Sequence, residues 1–193
     1  MTTKSDLART LSAELALLSL EQRISLLAVR FPDRARFSTS FGKEDQALTH
    51  AILKYAPKVE IFTLDTGRLF EETYSVFHAT RDRLGASIKV FTPDQTLLAQ
   101  FLSAHGPNSF YESVENRLEC CRIRKVEPLQ RALENAQIWV TGLRRGQSNN
   151  RADLPFVQWD SDYNLLKVHP ILDWSGCPYA SATSPASRLA SAE

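Results

Sequence analysis

Residue types suited to holding an anion fall in three short stretches of this chain. The first is Ser38-Thr39-Ser40-Phe41-Gly42-Lys43-Glu44-Asp45, in which small hydroxyl residues and a glycine lead into a helical pattern. At a helix start such residues supply backbone N–H groups, side-chain donors and the positive end of the helix dipole. The spacing is not that of a Walker loop, Gly-x-x-x-x-Gly-Lys-Ser/Thr, and alone a Ser-x-Ser-x-Gly stretch is a turn more often than a phosphate site. The second is Leu64-Asp65-Thr66-Gly67. The third runs Gly142-Leu143-Arg144-Arg145-Gly146-Gln147-Ser148 and continues to Arg151. Arg144, Arg145 and Arg151 offer permanently charged, forked donors matched to phosphate or sulfate oxygens. The alternative reading of that loop is a solvated basic segment balanced by Asp153 and Asp160.

Cys120 and Cys121 suggest a second chemistry. A free cysteine is usually a small buried hydrophobe, but helical neighbours point about 100° apart, so both rarely face one core. Arg122, Arg124 and Lys125 beside them suit the thiolate form that binds metal. Cys177 stands alone, and three cysteines make no disulfide framework. His50, His78, His105 and His169 show no ligand spacing and read as surface or core residues.

The elements that must position these stretches alternate in type. Two amphipathic helices open the chain; the second carries a capping box, Ser19 with Gln22, and places Ile24, Leu27 and Ala28 on one face. Strands are predicted over residues 35–41, 59–64, 88–91 and 138–141, with a last, edge strand over 165–171. Helices fall between them: one carrying Ala47, Leu48, Ala51, Ile52 and Tyr55, one over 71–84, one starting at Pro93-Asp94, and a mostly helical region over 110–135. This alternation predicts an α/β fold with a doubly wound, mostly parallel sheet. Each of the three loops follows a strand, where ligands of such sheets bind. The divisions expected are N-terminal helices over 1–34, a main domain over 35–175 and an atypical tail over 176–193.

The chain of 193 residues has a net charge of +1, which argues against nucleic-acid binding through a wholly basic surface. No uninterrupted apolar run reaches secretory or transmembrane length, so a cytoplasmic protein without membrane attachment is expected.

Taken together, these segments resemble the APS/PAPS (adenylyl-sulfate and phosphoadenylyl-sulfate) reductase family. Residues 38–45 resemble its modified PP-loop, Leu64-Asp65-Thr66-Gly67 its Leu-Asp-Thr-Gly turn, Lys125-Val126-Glu127-Pro128-Leu129 its Lys-Val-x-Pro-Leu segment, and residues 141–152 its arginine loop. The resemblance implies the adenine nucleotide alpha hydrolase-like (PP-loop) fold and thioredoxin-dependent reduction of APS to sulfite and AMP. Ser38, Ser40, Gly42 and Asp45 would line the nucleotide pocket, with Leu64 and Gly142 making adenine or ribose contacts through backbone and Asp65, Thr66 and Gly67 also binding the substrate. Arg144, Arg145 and Arg151 would hold the phosphosulfate side. The pair Cys120-Cys121 resembles that of the APS-type enzymes, which implies two of four ligands of a [4Fe–4S] cluster with Lys125 between cluster and sulfate. Expected partners are APS and thioredoxin or a similar dithiol.

Two family features are missing from the 193 residues: a later Cys-x-x-Cys and the Glu-Cys-Gly-Leu motif bearing the attacking thiol. The resemblance fades after residue 175, near a segment with five alanines, four serines and two prolines over 176–193. A disordered tail is one reading; a truncated or frameshifted end, leaving an inactive chain, is the reading this coincidence favours. Loss of a sheet-covering segment would expose apolar surface and promote homo-oligomers. The alternatives are a PAPS reductase, a nucleotide-binding remnant without reductase activity, or a PP-loop adenylating enzyme, for which the Ser-Gly-Gly-x-Asp-Ser loop is absent.

Overall fold

The computed structural model describes residues 3–147 and 153–175. Ser148, Arg151, Cys177 and the rest of the 176–193 segment, with the expectations attached to them, lie outside the described residues.

Helices α1 (Lys4–Ala16) and α2 (Leu20–Arg30) both begin with capping boxes, Thr3 with Asp6 and Ser19 with Gln22. In the second, the Gln22 side chain accepts the Ser19 backbone N–H at 3.0 Å, satisfying a donor that a bare helix start leaves orphaned. The chain then continues as β1 (Ala35–Ser38), α3 (Lys43–Tyr55), β2 (Glu60–Leu64), α4 (Glu71–Leu84), β3 (Ile88–Phe91) and α5 (Gln95–His105). Helix α6 (Val114–Cys121) runs through a π-helical turn, Arg122–Val126, into α7 (Glu127–Ala132), and β4 (Ile138–Val140), β5 (Val157–Asp160) and β6 (Leu165–Val168) complete the sheet.

The strand order is β3-β2-β1-β4-β6-β5. All neighbours are parallel except β5 and β6. From β1 the chain winds outward through β2 and β3, then returns with β4 to the other side of β1. That reversal makes the carboxyl ends of β1 and β4 the topological switch point. Strand alternation buries both faces of the sheet. Phe37, Ile61, Ile138, Val140, Leu166 and Val168 share one core with Leu11, Leu15, Ile24 and Leu27 of the first two helices and with Leu48 and Ile52 of α3. Phe62, Leu165, Ala132 and Leu133 form the core on the opposite face. Each such large side chain contributes about 1.5–3 kcal/mol by leaving water.

Three sequence expectations need correction. The strand predicted over 165–171 ends at Val168 and is internal; the edge belongs to β5, which pairs antiparallel with it. The polar turn 161–164, with Asn164 in the left-handed region, joins these two strands as a hairpin. The strand predicted over 35–41 stops at Ser38, because the backbone turns sharply and Phe41 takes φ 65°. Tyr55, placed by periodicity on the buried face of α3, is partly exposed at the helix end.

Residues 169–174, after β6, are clamped to the body by Arg23. Arg23 is 3% exposed, and its guanidinium donates to the carbonyls of Leu15 and Pro170 and forms a bidentate pair with Asp173 at 2.9 and 2.8 Å. It also lies over the Phe156 ring. The Arg23 hydrogen bonds and charge hold the Asp173 carboxyl below its ordinary pKa. Among the described residues no helix is long and apolar enough to cross a membrane.

Because the folded-state pKa of Asp173 is depressed, its contribution to stability is present above the ordinary carboxylate value and is lost as pH falls through the lower folded value. Asp173→Asn leaves a buried guanidinium without its counter-charge, at a cost of about 2 kcal/mol moderated by the exposure of Asp173. Denaturant titrations from pH 7 to pH 2 should show this gap closing as pH falls; a gap independent of pH would contradict the pairing.

Candidate functional site

The three anion-friendly loops meet in one cleft of about 830 Å³ at the carboxyl ends of β1, β2 and β4. Ser38, Thr39, Ser40, Phe41, Gly42, Glu44 and Asp45 line it from the β1–α3 loop. Leu64 and Thr66 come from the turn after β2, and Thr141, Gly142, Leu143 and Gln147 from the loop after β4. Lys125 reaches the same cleft from the π-helical turn, while Trp139 and Lys167 enter it from β4 and β6.

Asp45 organises the first loop. Its Oδ2 accepts the Ser40 backbone N–H at 2.6 Å and the Ser40 hydroxyl at 2.7 Å. Its Oδ1 lies against Gly142, where any β-carbon would overlap the carboxylate. Gly142 is therefore required by close approach. Burial pushes the Asp45 carboxyl above its ordinary pKa of 3.8, an effect the Ser40 donors only partly offset. Asp45 thus acts inside the loop as the group that closes it onto the neighbouring loop.

Glu44 takes Arg144. Arg144 Nε and Nη2 donate to Glu44 Oε1 at 2.9 and 2.6 Å, and both side chains are largely buried. Burial opposes ionisation of Glu44, but its own backbone N–H and the Arg144 guanidinium prevail and hold its carboxyl below the ordinary value. Arg144 is therefore paired with Glu44 and is not itself among the residues lining the cleft; Asp153 and Asp160 play no part in its pairing. Arg145 points elsewhere: its guanidinium lies 5.7 Å from the Phe156 ring centroid, donates to the Leu154 carbonyl and lines a neighbouring cavity beside α1. Its backbone N–H donates to the Leu172 carbonyl, tying the arginine loop to the segment that Arg23 clamps.

The Asp-Thr-Gly turn divides its labour. Leu64 and Thr66 face the cleft, whereas Asp65 accepts the Gly67 N–H and the Tyr74 hydroxyl and so shapes the turn. Gly67 takes φ 68°, a conformation that favours glycine. Arg124, 7% exposed, donates to the Thr66 carbonyl at 2.5 Å and so joins this turn to the helix bearing the cysteines. Within the π-helical turn the two neighbours part, as neighbours on a helix do: Arg124 faces inward while Lys125 lines the cleft.

Cys120 is buried with Phe101 and Ile123, and Cys121 is partly exposed one step round the helix. Neither lines the cleft. The basic neighbours read as companions of these thiols are engaged elsewhere, Arg122 in a bidentate pair with Glu119 at 2.7 Å and Arg124 with Thr66. Among the described residues no group of three or more His, Cys, Asp or Glu side chains gathers as a metal site. His169 is buried and shares a 2.7 Å hydrogen bond with the Thr141 hydroxyl.

Trp139, Lys167, Glu44 and Thr141 are cleft residues that sequence reasoning did not assign. The signal for Trp139 and Lys167 is pairing register, since the two are cross-strand partners in β4 and β6; it emerges only once the strands are ordered.

Gly142→Ala should lower stability by about 1–3 kcal/mol through overpacking against Asp45, measured by denaturant unfolding. Asp45→Asn tests the electrostatics with a definite sign. A raised folded-state pKa means that ionised Asp45 disfavours the fold as pH rises from 3.8 through the folded value. The stability of Asp45→Asn relative to the unsubstituted chain should therefore increase with pH across that window; a constant or falling difference would contradict the buried-carboxylate assignment.

Known proteins resemble this chain in sequence and in fold. The model of the phosphoadenosine phosphosulfate reductase domain matches residues 34–178. An adenosine 5'-phosphosulfate reductase from Agrobacterium fabrum (strain C58 / ATCC 33970) is 46% identical over 165 residues, which cover 86% of this chain and 63% of the relative. One from Neisseria meningitidis serogroup B (strain ATCC BAA-335 / MC58) is 42% identical over 162 residues, covering 81% and 64%. The chain thus spans a little under two thirds of the length of these relatives. Among solved structures, phosphoadenylyl-sulfate (PAPS) reductase from Candida auris in a phosphate complex aligns with a TM-score of 0.77 at 22% identity, covering 98% of this chain and 93% of that one, a likeness of fold. With its family model matching most of its length, this chain belongs to the phosphoadenosine phosphosulfate reductase domain family.

Proposed function

We propose that this chain is the nucleotide-binding part of a reductase that converts adenylyl sulfate to sulfite and AMP. The observation that carries the reading is the convergence of the three anion-friendly loops, with Lys125 and Lys167, on one cleft at the switch point of the sheet. Relatives named adenosine 5'-phosphosulfate reductase support a sulfonucleotide substrate, and the Cys120-Cys121 pair favours APS over PAPS.

In the reaction assigned to the whole protein, a cysteine thiolate attacks the sulfur of APS. The sulfur–oxygen bond to the phosphate breaks and AMP leaves with the electron pair, so the cysteine keeps a thiosulfonate. A dithiol of the thioredoxin class then attacks, releases sulfite and ends as a disulfide, in a cytoplasmic setting. The cleft supplies the electrostatics. Loop donors at the start of α3 and the Lys125 ammonium face the charge that builds on phosphate and sulfonyl oxygens. Arg144 is held by Glu44, a residue of the cleft wall. The 193 residues carry no Glu-Cys-Gly-Leu, so binding and orientation are the steps we give to this chain.

A [4Fe–4S] cluster needs four thiolates. Cys120 and Cys121 would supply two, and the described residues provide no other gathering of ligands. The described residues therefore do not fit a complete cluster.

Calorimetry on the purified chain should show APS and AMP binding, with APS preferred over PAPS, and a dithiol should release no sulfite from the APS complex. Anaerobic preparations should hold less than stoichiometric iron and labile sulfide. Sulfite release would place an attacking thiol among the chain's own cysteines, and a preference for PAPS would overturn the substrate reading.

A further inference from the structure

The β1–α3 loop carries three hydroxyls, and the structure commits them differently. Thr39 is buried and its Oγ1 accepts the Phe41 N–H. The Ser40 hydroxyl donates its hydrogen bond to Asp45. Ser38 instead accepts a hydrogen bond from Trp139 Nε1 at 2.8 Å. An indole N–H only donates, so this bond occupies a lone pair of Ser38 and leaves its own proton to point elsewhere. Among the described residues nothing accepts that proton, and Ser38 borders the cleft.

Two side chains pack against Trp139. Tyr163 meets it edge-on, with ring centroids 5.6 Å apart. The Lys167 ammonium lies over its ring, 4.1 Å from the centroid, and Lys167 also lines the cleft. One indole thus contacts both a hydroxyl and a cation that line the cleft.

Resting on the nucleotide-binding reading above, we propose that Trp139 is a positioning residue. It turns the Ser38 hydroxyl into a hydrogen-bond donor for an anionic oxygen of the ligand, and with Lys167 it completes a subsite for a phosphoryl or sulfonyl group. The adenosine part of the ligand makes no use of this unit.

Trp139→Phe tests the proposal, because it keeps an aromatic ring for Tyr163 and Lys167 while deleting the N–H. Titration calorimetry on the full chain uses AMP, adenosine and inorganic phosphate as probes, with thermal melting to follow the fold. Trp139→Phe should weaken AMP about tenfold and leave adenosine within about twofold. Ser38→Ala should weaken AMP by a similar factor, and the double variant should lose no more than either single one. Lys167→Gln, which leaves the indole in place, should also weaken AMP and spare adenosine. Unchanged AMP binding in Trp139→Phe, equal loss of AMP and adenosine, or losses that multiply in the double variant would overturn the proposal. Should the unsubstituted chain bind phosphate but not AMP, the nucleotide reading fails while the phosphate titration still decides the role of Trp139; binding of none of the three probes overturns both.

Discussion

The carboxylate of Asp45, wedged between the Ser40 backbone and the α-carbon of Gly142, is the constraint on which the site depends. A buried carboxylate is costly unless donors surround it. Ser40 supplies two, one from the backbone and one from its hydroxyl, and these fix the path of the loop after β1. The fit against Gly142 then sets how closely the loop after β4 approaches. Because β1 and β4 are neighbours at the point where the strand order reverses, one side chain fixes the geometry of two loops across the switch. Phe41 accepts a left-handed backbone within this turn, anchored by stacking on Phe77 of α4 with ring centroids 4.9 Å apart.

Support for the arginine loop comes from further away. Arg23 of α2 clamps the segment after β6, and that segment offers the Leu172 carbonyl to the Arg145 backbone and the Trp174 carbonyl to the Arg144 guanidinium. Two acidic residues beside the cleft would ordinarily repel the anionic ligand we propose for it. Here Glu44 is matched by Arg144, and Asp45 is spent within the loop, which leaves Lys125 and Lys167 as the cationic side chains on the wall. Local loop chemistry, distant packing and charge balance therefore agree on one reading of the cleft.

Much of this was legible in the sequence because the signals are local. The capping box at Ser19, the helix over Glu71–Leu84 and the strand Ile88–Phe91 follow from side-chain types within a few residues, and the loops announce themselves by hydroxyls, glycines and arginines after strands. What was missed depends on order and direction. Strand β5 is only four residues long, and its Asp160 read as a counter-charge for the arginine loop. The divergence of Arg144 toward Glu44 and Arg145 toward Phe156 is a choice of side-chain direction that residue type does not encode. Arg124 faces inward from within a π-helical turn, which helical periodicity does not foresee.

The most direct test is a crystal structure of the chain with AMP. The account predicts the phosphate at the start of α3, within hydrogen-bonding distance of the Ser38 hydroxyl and facing Lys125, with the Glu44–Arg144 and Asp45–Ser40 contacts of the loops in place. Phosphate density in the cavity beside α1 where Arg145 lies, or a nucleotide bound away from the carboxyl ends of β1 and β4, would contradict it.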